Sequence, residues 1–256
     1  MSNTVAIVTG ASSGIGRATA IRLSHDFSSV ALVSRGAAQL AGVADEVEAN
    51  GAEPLAIDLD LMAPTAAEAV VGQTLRKFGR IDALLNIAGA VPAIDLFQMT
   101  DEQWAAGMEL KLHGARRLTL RAWEALKVTK GSVVLIAGNA AEVPTAAAAA
   151  VGVINAAIVA LTKAFADRGL KDGIQVNSVS PGPVMTGRRL SMIEKWAGAH
   201  KVSLDQAKQT LLTQAGICRY GKPEDIAELM AFLVSPAAQW MTGAQLRIDG
   251  GEVKSI

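Results

Sequence analysis

Short runs of apolar, often β-branched residues alternate along this chain with longer stretches of helical periodicity. The apolar runs are Val5 to Thr9, Val30 to Ser34, Pro54 to Asp58, Ala83 to Ile87, Val133 to Ala137, Ile174 to Val179 and Leu246 to Asp249. The helical stretches begin near Gly14, Ala37, Thr65, Asp101, Ala146 and Pro223. Strands buried on both faces read as continuous apolar runs, and helices between them connect parallel neighbours. The pattern therefore predicts an α/β fold with a doubly wound parallel sheet of about seven strands flanked by helices.

The composition suits one domain and disfavours two classes of partner. The chain has 256 residues, 50% of them hydrophobic and 19% charged, which is enough to bury a large core in a single domain over 1–256. The formal net charge is zero, so overall charge attracts neither nucleic acid nor an anionic membrane. We therefore expect no nucleic-acid partner and no membrane partner. Basic pairs such as Arg188-Arg189 are interpreted as solvated helix faces.

Three local features bear on the compartment. The N-terminus enters a strand directly and lacks the basic segment and long apolar core of a signal peptide, so we expect a cytoplasmic protein. The single cysteine, Cys218, forms no intrachain disulfide, gives no metal-ligand cluster and is expected to be a buried or inert thiol. The run from Pro144 to Thr162 is rich in alanine and contains Asn155, which favours a buried or interfacial helix over a membrane span.

A glycine-rich turn follows the first predicted strand. Gly10, Gly14 and Gly16 permit a tight turn and close backbone approach, and the helix that begins near Gly14 points its free N–H groups at the same place. Ligands of doubly wound sheets bind beyond the carboxyl ends of the strands. The turn therefore predicts a dinucleotide pyrophosphate site on a Rossmann-type sheet.

The spacing Gly-x-x-x-Gly-x-Gly after Thr9 resembles that of the short-chain dehydrogenase/reductase family. Further motifs extend the resemblance over nearly the whole chain: Asp58, Asn86-Ile87-Ala88-Gly89, the loop from Asn177 to Thr186, Gly221 to Ala227, Thr242-Gly243 and Asp249-Gly250-Gly251. The resemblance implies that the chain binds a nicotinamide dinucleotide. It also implies the cofactor-binding residues, which are Gly10, Ser12, Ser13, Gly14, Ile15, Gly16, Ser34, Arg35, Asp58, Leu59, Asn86, Ala88, Gly89, Pro181, Gly182, Val184 and Thr186.

The residues after the second strand indicate which dinucleotide binds. NAD-selective sites place a carboxylate there for the ribose hydroxyls, whereas this chain has Ser34 followed by Arg35. A guanidinium suits a 2′-phosphate, so NADP(H) is favoured over NAD(H). The alternative is that Arg35 stacks on adenine without phosphate selectivity. Arg17 either adds to the positive field or faces solvent.

The resemblance also assigns positions to the family's catalytic asparagine, serine, tyrosine and lysine, and this chain has none of these residue types at its assigned position. The four positions hold Lys111, Gly138, Val151 and Asn155. Carbonyl reduction adds hydride to carbon and needs a proton at oxygen, which a valine side chain cannot donate. The catalytic residues therefore remain unassigned, with Lys111 and His113 as candidates.

Lysine and asparagine have exchanged positions, and two interpretations of the exchange are open. Either Lys111 has drifted to a solvated or salt-bridged place, or Lys111 and Asn155 form a pair that does modified work. In the second case we expect the ammonium within a hydrogen bond or one water of Asn155. His113 could protonate a substrate, although packing on a helix face is favoured. Packing or loop roles are also favoured for the other polar candidates, which are Asn139, Glu142, Thr145 and Tyr220.

Residues 186–214 mix apolar and charged positions and are expected to form a substrate lid of one or two amphipathic helices. The resemblance implies that the alanine-rich helix forms a subunit interface and that the protein is a homotetramer.

Two functions are open. One is an NADP(H)-dependent oxidoreductase that acts on a small carbonyl or alcohol substrate with weak or altered proton transfer. The other is a catalytically inactive, nucleotide-binding pseudoenzyme that serves as a sensor or as a partner in a hetero-oligomer. A lyase or isomerase is a weaker option.

Overall fold

The computed structural model describes residues 3–255, and these contain one parallel sheet of seven strands. The strands lie in the order β3-β2-β1-β4-β5-β6-β7. Their bounds are β1 (Val5–Thr9), β2 (Ser29–Ser34), β3 (Glu53–Asp58), β4 (Ala83–Asn86), β5 (Ser132–Ile136), β6 (Gln175–Pro181) and β7 (Gln245–Ile248). The predicted fold class is confirmed, and each predicted strand end lies within two residues of the observed one.

Nine α-helices accompany the sheet in the described part of the chain. They are α1 (Gly14–Leu23), α2 (Ala37–Ala49), α3 (Ala66–Phe78), α4 (Asp101–Met108), α5 (Ala115–Thr129), α6 (Ala149–Asp172), α7 (Gly187–His200), α8 (Leu204–Ala215) and α9 (Pro223–Leu233). The predicted helix starts are confirmed to within one residue, except that a 3₁₀ turn at Ala146–Ala148 precedes α6. The segment expected to form one or two helices forms α7 and α8. Its role as a lid stays a prediction.

The helical stretch predicted from Asp101 is divided in the structure. Thr100 caps α4, since its hydroxyl accepts a hydrogen bond from Gln103 N at 3.3 Å. A π-helical turn, Glu109–Gly114, then separates α4 from α5. Such turns are rare within helices and often occur at functional sites. This one carries Lys111.

The strand β1 is buried on both of its faces. Ile7 packs in one apolar cluster with Leu84 of β4 and Leu118 of α5, whereas Val8 packs in a second cluster with Leu23 of α1. Full burial of such a side chain contributes about 1.5–3 kcal/mol to the free energy of folding. Because helices cover both faces, the carboxyl edge of the sheet is left for a ligand.

The order of strands along the sheet reverses between β1 and β4, and Thr9 joins the two strands there. Its hydroxyl accepts hydrogen bonds from the backbone N–H groups of Ile87 at 2.9 Å and Ala88 at 3.0 Å, and it donates to Leu85 O at 3.4 Å. Successive connections leave this point towards opposite sides, so a cleft opens at the carboxyl ends of both strands.

The long helix α6 meets the length and composition of a membrane span. The stretch Ala146–Asp172 reaches a mean hydropathy of 1.8 over its most apolar 18 residues, and 39% of that window is buried. Ile158 and Phe165 of this helix pack in the same cluster as Ile7, against the sheet. In this structure α6 therefore packs as a core helix does.

Asp172, the last residue of α6, forms hydrogen bonds and ion pairs with side chains of α5 and α6. Its Oδ2 accepts hydrogen bonds from Trp123 Nε1 and from Arg168 Nε, each at 2.8 Å, and Lys127 Nζ lies 3.3 Å from its Oδ1. These partners, led by the Trp123 hydrogen bond, lower the pKa of the carboxyl from 3.8 to about 2. A carboxyl whose pKa is lower in the folded state stabilises the fold above its ordinary pKa and loses that contribution as the pH falls through its folded value.

We expect Asp172→Asn to lower the melting temperature at neutral pH, because the amide lacks the charge that holds Arg168 and Lys127. The difference from wild type should shrink between about pH 4 and pH 2, where the wild-type carboxyl itself takes up a proton. Thermal unfolding followed by circular dichroism over a pH series measures this. Asp167→Asn, an exposed position on the same helix, is the matched control. A difference that is the same at every pH would contradict the assignment.

Candidate functional site

A cleft of about 500 Å³ opens at the carboxyl edge of the sheet, where the predicted glycine turn lies. A Cβ added to Gly16 would lie 2.1 Å from Gly10 O, and one added to Gly10 would lie 3.1 Å from Ala88 Cα. The turn and the start of α1 therefore have room only for bare backbone. Ser13, at the helix start, makes no side-chain capping hydrogen bond, so the N–H groups of the first turn are open to an anion. This cradle fits a pyrophosphate.

Most of the predicted cofactor-binding residues line this cleft. They are Gly10, Ser12, Ser13, Gly14, Ile15, Gly16, Ser34, Arg35, Leu59, Ala88, Gly89, Pro181, Gly182 and Thr186. They lie together because each is at the carboxyl end of a strand or in the segment that follows it. Their contact with a cofactor stays a prediction.

Three predicted residues are not among those that line the cleft. Asp58 Oδ1 accepts a hydrogen bond from Gly36 N at 2.9 Å. Asn86 is buried, and its Nδ2 donates to Thr119 Oγ1 at 3.1 Å. Val184 is 6% exposed and packs in the apolar cluster of Val8. Contact of these three residues with a cofactor stays a prediction.

One end of the cleft carries an exposed guanidinium. The Arg35 side chain is 70% exposed and lies 3.6 Å from Asp60 Oδ2. The hydroxyls of Ser12 and Ser34 share a hydrogen bond of 2.9 Å beside it. Asp60 lines the cleft but was absent from the sequence prediction. Its place two residues after the third predicted strand is the signal that could have found it.

Lys111 lies in the other end of the cleft and contacts Asn155 there. Its Nζ donates to Ala137 O at 2.8 Å and to Asn155 Oδ1 at 2.5 Å. The expected approach of the two exchanged residues is confirmed. Burial lowers the pKa of the Lys111 ammonium from 10.5 to about 7, and the positive charge of Arg188 adds to this shift. The cleft thus holds an amino group whose protonated and neutral forms are balanced near neutral pH.

Glycines on two sides give Lys111 and Asn155 their space. A Cβ added to Gly89 would lie 3.0 Å from Lys111 Cδ, and one added to Gly138 would lie 2.7 Å from Asn155 Nδ2. Val151 is half-buried and packs against a cluster that contains Ile154. Lys111, Asn155 and the two glycines at 89 and 138 therefore form one closely packed group.

Arg188, in the first turn of α7, bridges the cleft and was missed as a functional residue. Its Nη1 donates to Gly89 O at 3.4 Å, and its Nη2 donates to Val91 O. Burial lowers the pKa of its guanidinium, with the neighbouring Arg189 adding to the shift. Arg188 as a whole is exposed, as the interpretation of this basic pair as a solvated helix face predicts. Its contacts with Gly89 O and Val91 O were not predicted, because sequence alone does not show which carbonyl groups a helix start meets.

The remaining polar candidates from the sequence lie outside the cleft lining. His113 is half-buried in the π-helical turn, and Thr145 is exposed. The Tyr220 hydroxyl donates to Lys208 O at 3.0 Å, and the Tyr220 side chain packs among residues of α7 and α8. Cys218 is exposed, which contradicts the expectation of a buried thiol, whereas the alternative of an inert thiol stays a prediction.

Asn139 and Glu142 take part in contacts with the C-terminal part of the chain. Asn139 Nδ2 donates to Glu252 Oε2, and burial raises the pKa of that glutamate. Glu142 accepts hydrogen bonds from Arg247 and from Gln245, the latter at 3.1 Å. The loop roles favoured for Asn139 and Glu142 agree with these contacts.

Known proteins resemble this chain over nearly its whole length. A family profile described as enoyl-(acyl carrier protein) reductase matches residues 10–252. A 3-oxoacyl-(acyl-carrier-protein) reductase of Synechocystis sp. is 31% identical over 252 residues, which cover 97% of this chain and 96% of the relative.

Two solved structures share the fold. L-sorbose reductase from Gluconobacter frateurii, complexed with NADPH and L-sorbose, gives a TM-score of 0.95 at 28% identity and covers 100% of this chain and 98% of its own. A short-chain dehydrogenase/reductase from Serratia marcescens gives 0.87 at 32% identity and covers 97% of both chains. Profile, sequence identity, strand order and glycine turn agree, and the chain belongs to the short-chain dehydrogenase/reductase family.

Proposed function

We propose that this protein is an NADP(H)-dependent oxidoreductase that reduces a small carbonyl compound, with Lys111 as the proton donor. The observation that carries the proposal is the place of Lys111, whose ammonium lies in the cleft with a pKa of about 7. In this proposal Lys111, Gly138, Val151 and Asn155 stand where relatives keep their asparagine, serine, tyrosine and lysine. Lys111, which lies in the π-helical turn, then supplies both the positive charge in the cleft and the proton for the substrate oxygen.

The residues of the cleft fit the proposed cofactor. The bare backbone between Gly10 and Gly16 accommodates the pyrophosphate. The Arg35 guanidinium is 70% exposed, and its loose contact with Asp60 at 3.6 Å leaves it donors for a 2′-phosphate. The L-sorbose reductase that shares this fold is complexed with NADPH, which supports the same choice here. When bound, NADPH supplies the hydride that the carbonyl carbon receives.

Lys111 completes the reduction by moving a proton. Two of its three N–H groups donate to Ala137 O and Asn155 Oδ1, which leaves one for a substrate oxygen. As the carbonyl carbon gains hydride, the oxygen takes the proton of this N–H and the product is an alcohol. Lys111 is left as a neutral amine and recovers its proton from water. An acid with a pKa near the working pH suits such a transfer.

The helices α7 and α8 are proposed to act as the substrate lid. The hydrogen bonds from Arg188 to Gly89 O and Val91 O join the start of α7 to the opposite wall of the cleft. A lid joined in this way excludes water from the place where the proton moves.

We expect Arg35→Asp to reverse the cofactor preference from NADPH to NADH. The substitution removes the partner of the 2′-phosphate and supplies a carboxylate for the ribose hydroxyls. A charge-assisted hydrogen bond contributes about 1.5–3 kcal/mol, so the dissociation constant of NADPH should rise tenfold or more. Fluorescence titration with both cofactors measures it.

The matched control for Arg35 is Arg17→Gln. Arg17 already pairs with both oxygens of Glu46 at 2.7 Å, so its loss should leave the preference unchanged. Equal affinity of the wild-type protein for NADPH and NADH would refute the role given to Arg35.

We expect Lys111→Met to lower the rate of carbonyl reduction by about 10² to 10⁴ while NADPH affinity stays close to wild type. The acid must carry its proton to react. In the wild type, kcat/KM should therefore be constant below about pH 7 and fall about tenfold per pH unit above it. Loss of NADPH absorbance with ethyl acetoacetate, cyclohexanone and simple aldehydes measures the rate.

His113→Gln is the control, because His113 shares the π-helical turn but lies outside the cleft lining. Its rate and pH profile should match those of the wild type. Tight NADPH binding without turnover of any carbonyl compound would sink the proposal and favour the pseudoenzyme.

We also propose that the protein is a homotetramer assembled through α5 and α6. Both helices carry large exposed apolar side chains, at Leu120 (53%) and Val128 (85%) of α5 and at Val153 (50%) and Leu170 (70%) of α6. Light scattering after size exclusion should give the mass of four chains. Leu170→Asp should reduce that mass, whereas Val202→Asp, outside both helices, should not. A monomeric wild type would contradict the proposal.

A further inference from the structure

The orientation of the Asn155 amide is fixed by its neighbour. An ammonium has donors and no acceptor, so the atom that faces Lys111 Nζ at 2.5 Å must be the carbonyl oxygen Oδ1. The amide nitrogen Nδ2 therefore points the other way, towards Gly138. The Lys111 contact thus decides where the Asn155 donors lie.

Asn155 Nδ2 occupies the space in which a side chain at 138 would begin. A Cβ built on Gly138 would lie 2.7 Å from Nδ2 and 3.4 Å from Asn155 Cγ. Gly138 itself lines the cleft, next to Ala137 and Lys111. The amide nitrogen thus lies against the wall of the cleft. It takes the place from which a side chain at 138 would extend towards a ligand.

The donors of this nitrogen have no partner among the described residues. Asn155 is 2% exposed, and its hydrogen bond with Lys111 uses the oxygen. Thr19 Oγ1 is the one fully enclosed polar side-chain atom without a partner between residues 3 and 255. Asn155 Nδ2 is therefore not fully enclosed, and it lies against Gly138, which lines the cleft. An amide donor almost removed from water gains from an acceptor supplied by a ligand.

We propose that Asn155 is a catalytic residue whose Nδ2 donates a hydrogen bond to the carbonyl oxygen of the substrate. The inference rests on the proposed function and deepens it. Hydride adds to the carbonyl carbon, the C–O π pair moves onto oxygen, and the proton of Lys111 Nζ is transferred to that oxygen. Asn155 transfers nothing and stabilises the negative charge while it develops. The ligand class is a ketone or aldehyde whose oxygen reaches both nitrogens.

The first test uses Asn155→Asp, which keeps an oxygen acceptor for Lys111 and removes the donor. With ethyl acetoacetate and NADPH, kcat should fall about 10² to 10³, as for removal of a donor to a developing oxyanion. The carboxylate raises the pKa of Lys111, so the pH profile should shift upwards while the low-pH plateau stays reduced. A plateau equal to that of the wild type would show that Asn155 merely positions Lys111.

A rescue experiment tests the place of the donor. Asn155→Ala vacates the space beside Gly138, so a serine introduced at 138 has room for its hydroxyl once the backbone relaxes from its φ of 157°. The kcat of Asn155→Ala should fall as far as that of Asn155→Asp. The kcat of Asn155→Ala/Gly138→Ser should be at least tenfold higher than that of Asn155→Ala. The matched control, Asn155→Ala/Gly138→Ala, supplies the same Cβ without a donor and should recover nothing. Equal rates of the two double variants would overturn the proposal, with thermal unfolding confirming that both are folded.

A binding measurement separates this proposal from the proposed function. The side-chain amide signals of [¹⁵N]asparagine-labelled protein, with Asn155 assigned by its loss in Asn155→Asp, are followed while N,N-dimethylacetamide is added to the NADPH-saturated protein. This amide is an unreactive carbonyl compound without N–H donors. A downfield shift of the Asn155 amide protons supports the donor, even if no carbonyl compound is turned over. Unchanged signals overturn it, even if turnover is rapid.

Discussion

The hydroxyl of Thr9 is the interaction on which the geometry of the cleft depends. Thr9 is 1% exposed and receives hydrogen bonds from the backbone N–H groups of Ile87 and Ala88 just after β4 leaves the sheet. Those groups would otherwise be enclosed without an acceptor. By holding the end of β4 against β1, the hydroxyl keeps open the one place where connections leave towards both faces. The glycine turn, Gly89 and the stem of Lys111 all take their positions from it.

Lys111 shows how a charged group is accommodated in such a place. Taking an ammonium out of water is costly unless acceptors replace the lost hydration. Here Ala137 O and Asn155 Oδ1 replace part of the lost hydration. The part that is not replaced disfavours the charged form and lowers the pKa of Lys111. The π-helical turn matters because it changes the direction in which residues of this helix point. A regular helix from Asp101 to Thr129 would present a different set of side chains to the cleft.

Much of this arrangement could be read from the sequence, for physical reasons that differ between its parts. The strands were predictable because both faces are buried, which leaves continuous apolar runs. The meeting of Lys111 and Asn155 was predictable from the family resemblance, which assigns both residues to positions expected to lie close together. The π-helical turn was not, since no residue pattern distinguishes Glu109–Gly114 from a regular turn. Arg188 was missed for a related reason, because its partners are backbone carbonyl groups.

The contact between Gly138 and Asn155 also constrains how this chain can change by single substitutions. Any residue at 138 other than glycine meets the Asn155 amide, because its Cβ would lie 2.7 Å from Nδ2. A serine at 138 therefore requires the Asn155 side chain to move or to be replaced, and the effect of either substitution depends on the other. A single substitution at 138 would therefore also disturb the side-chain acceptor of Lys111, because Asn155 contacts both positions.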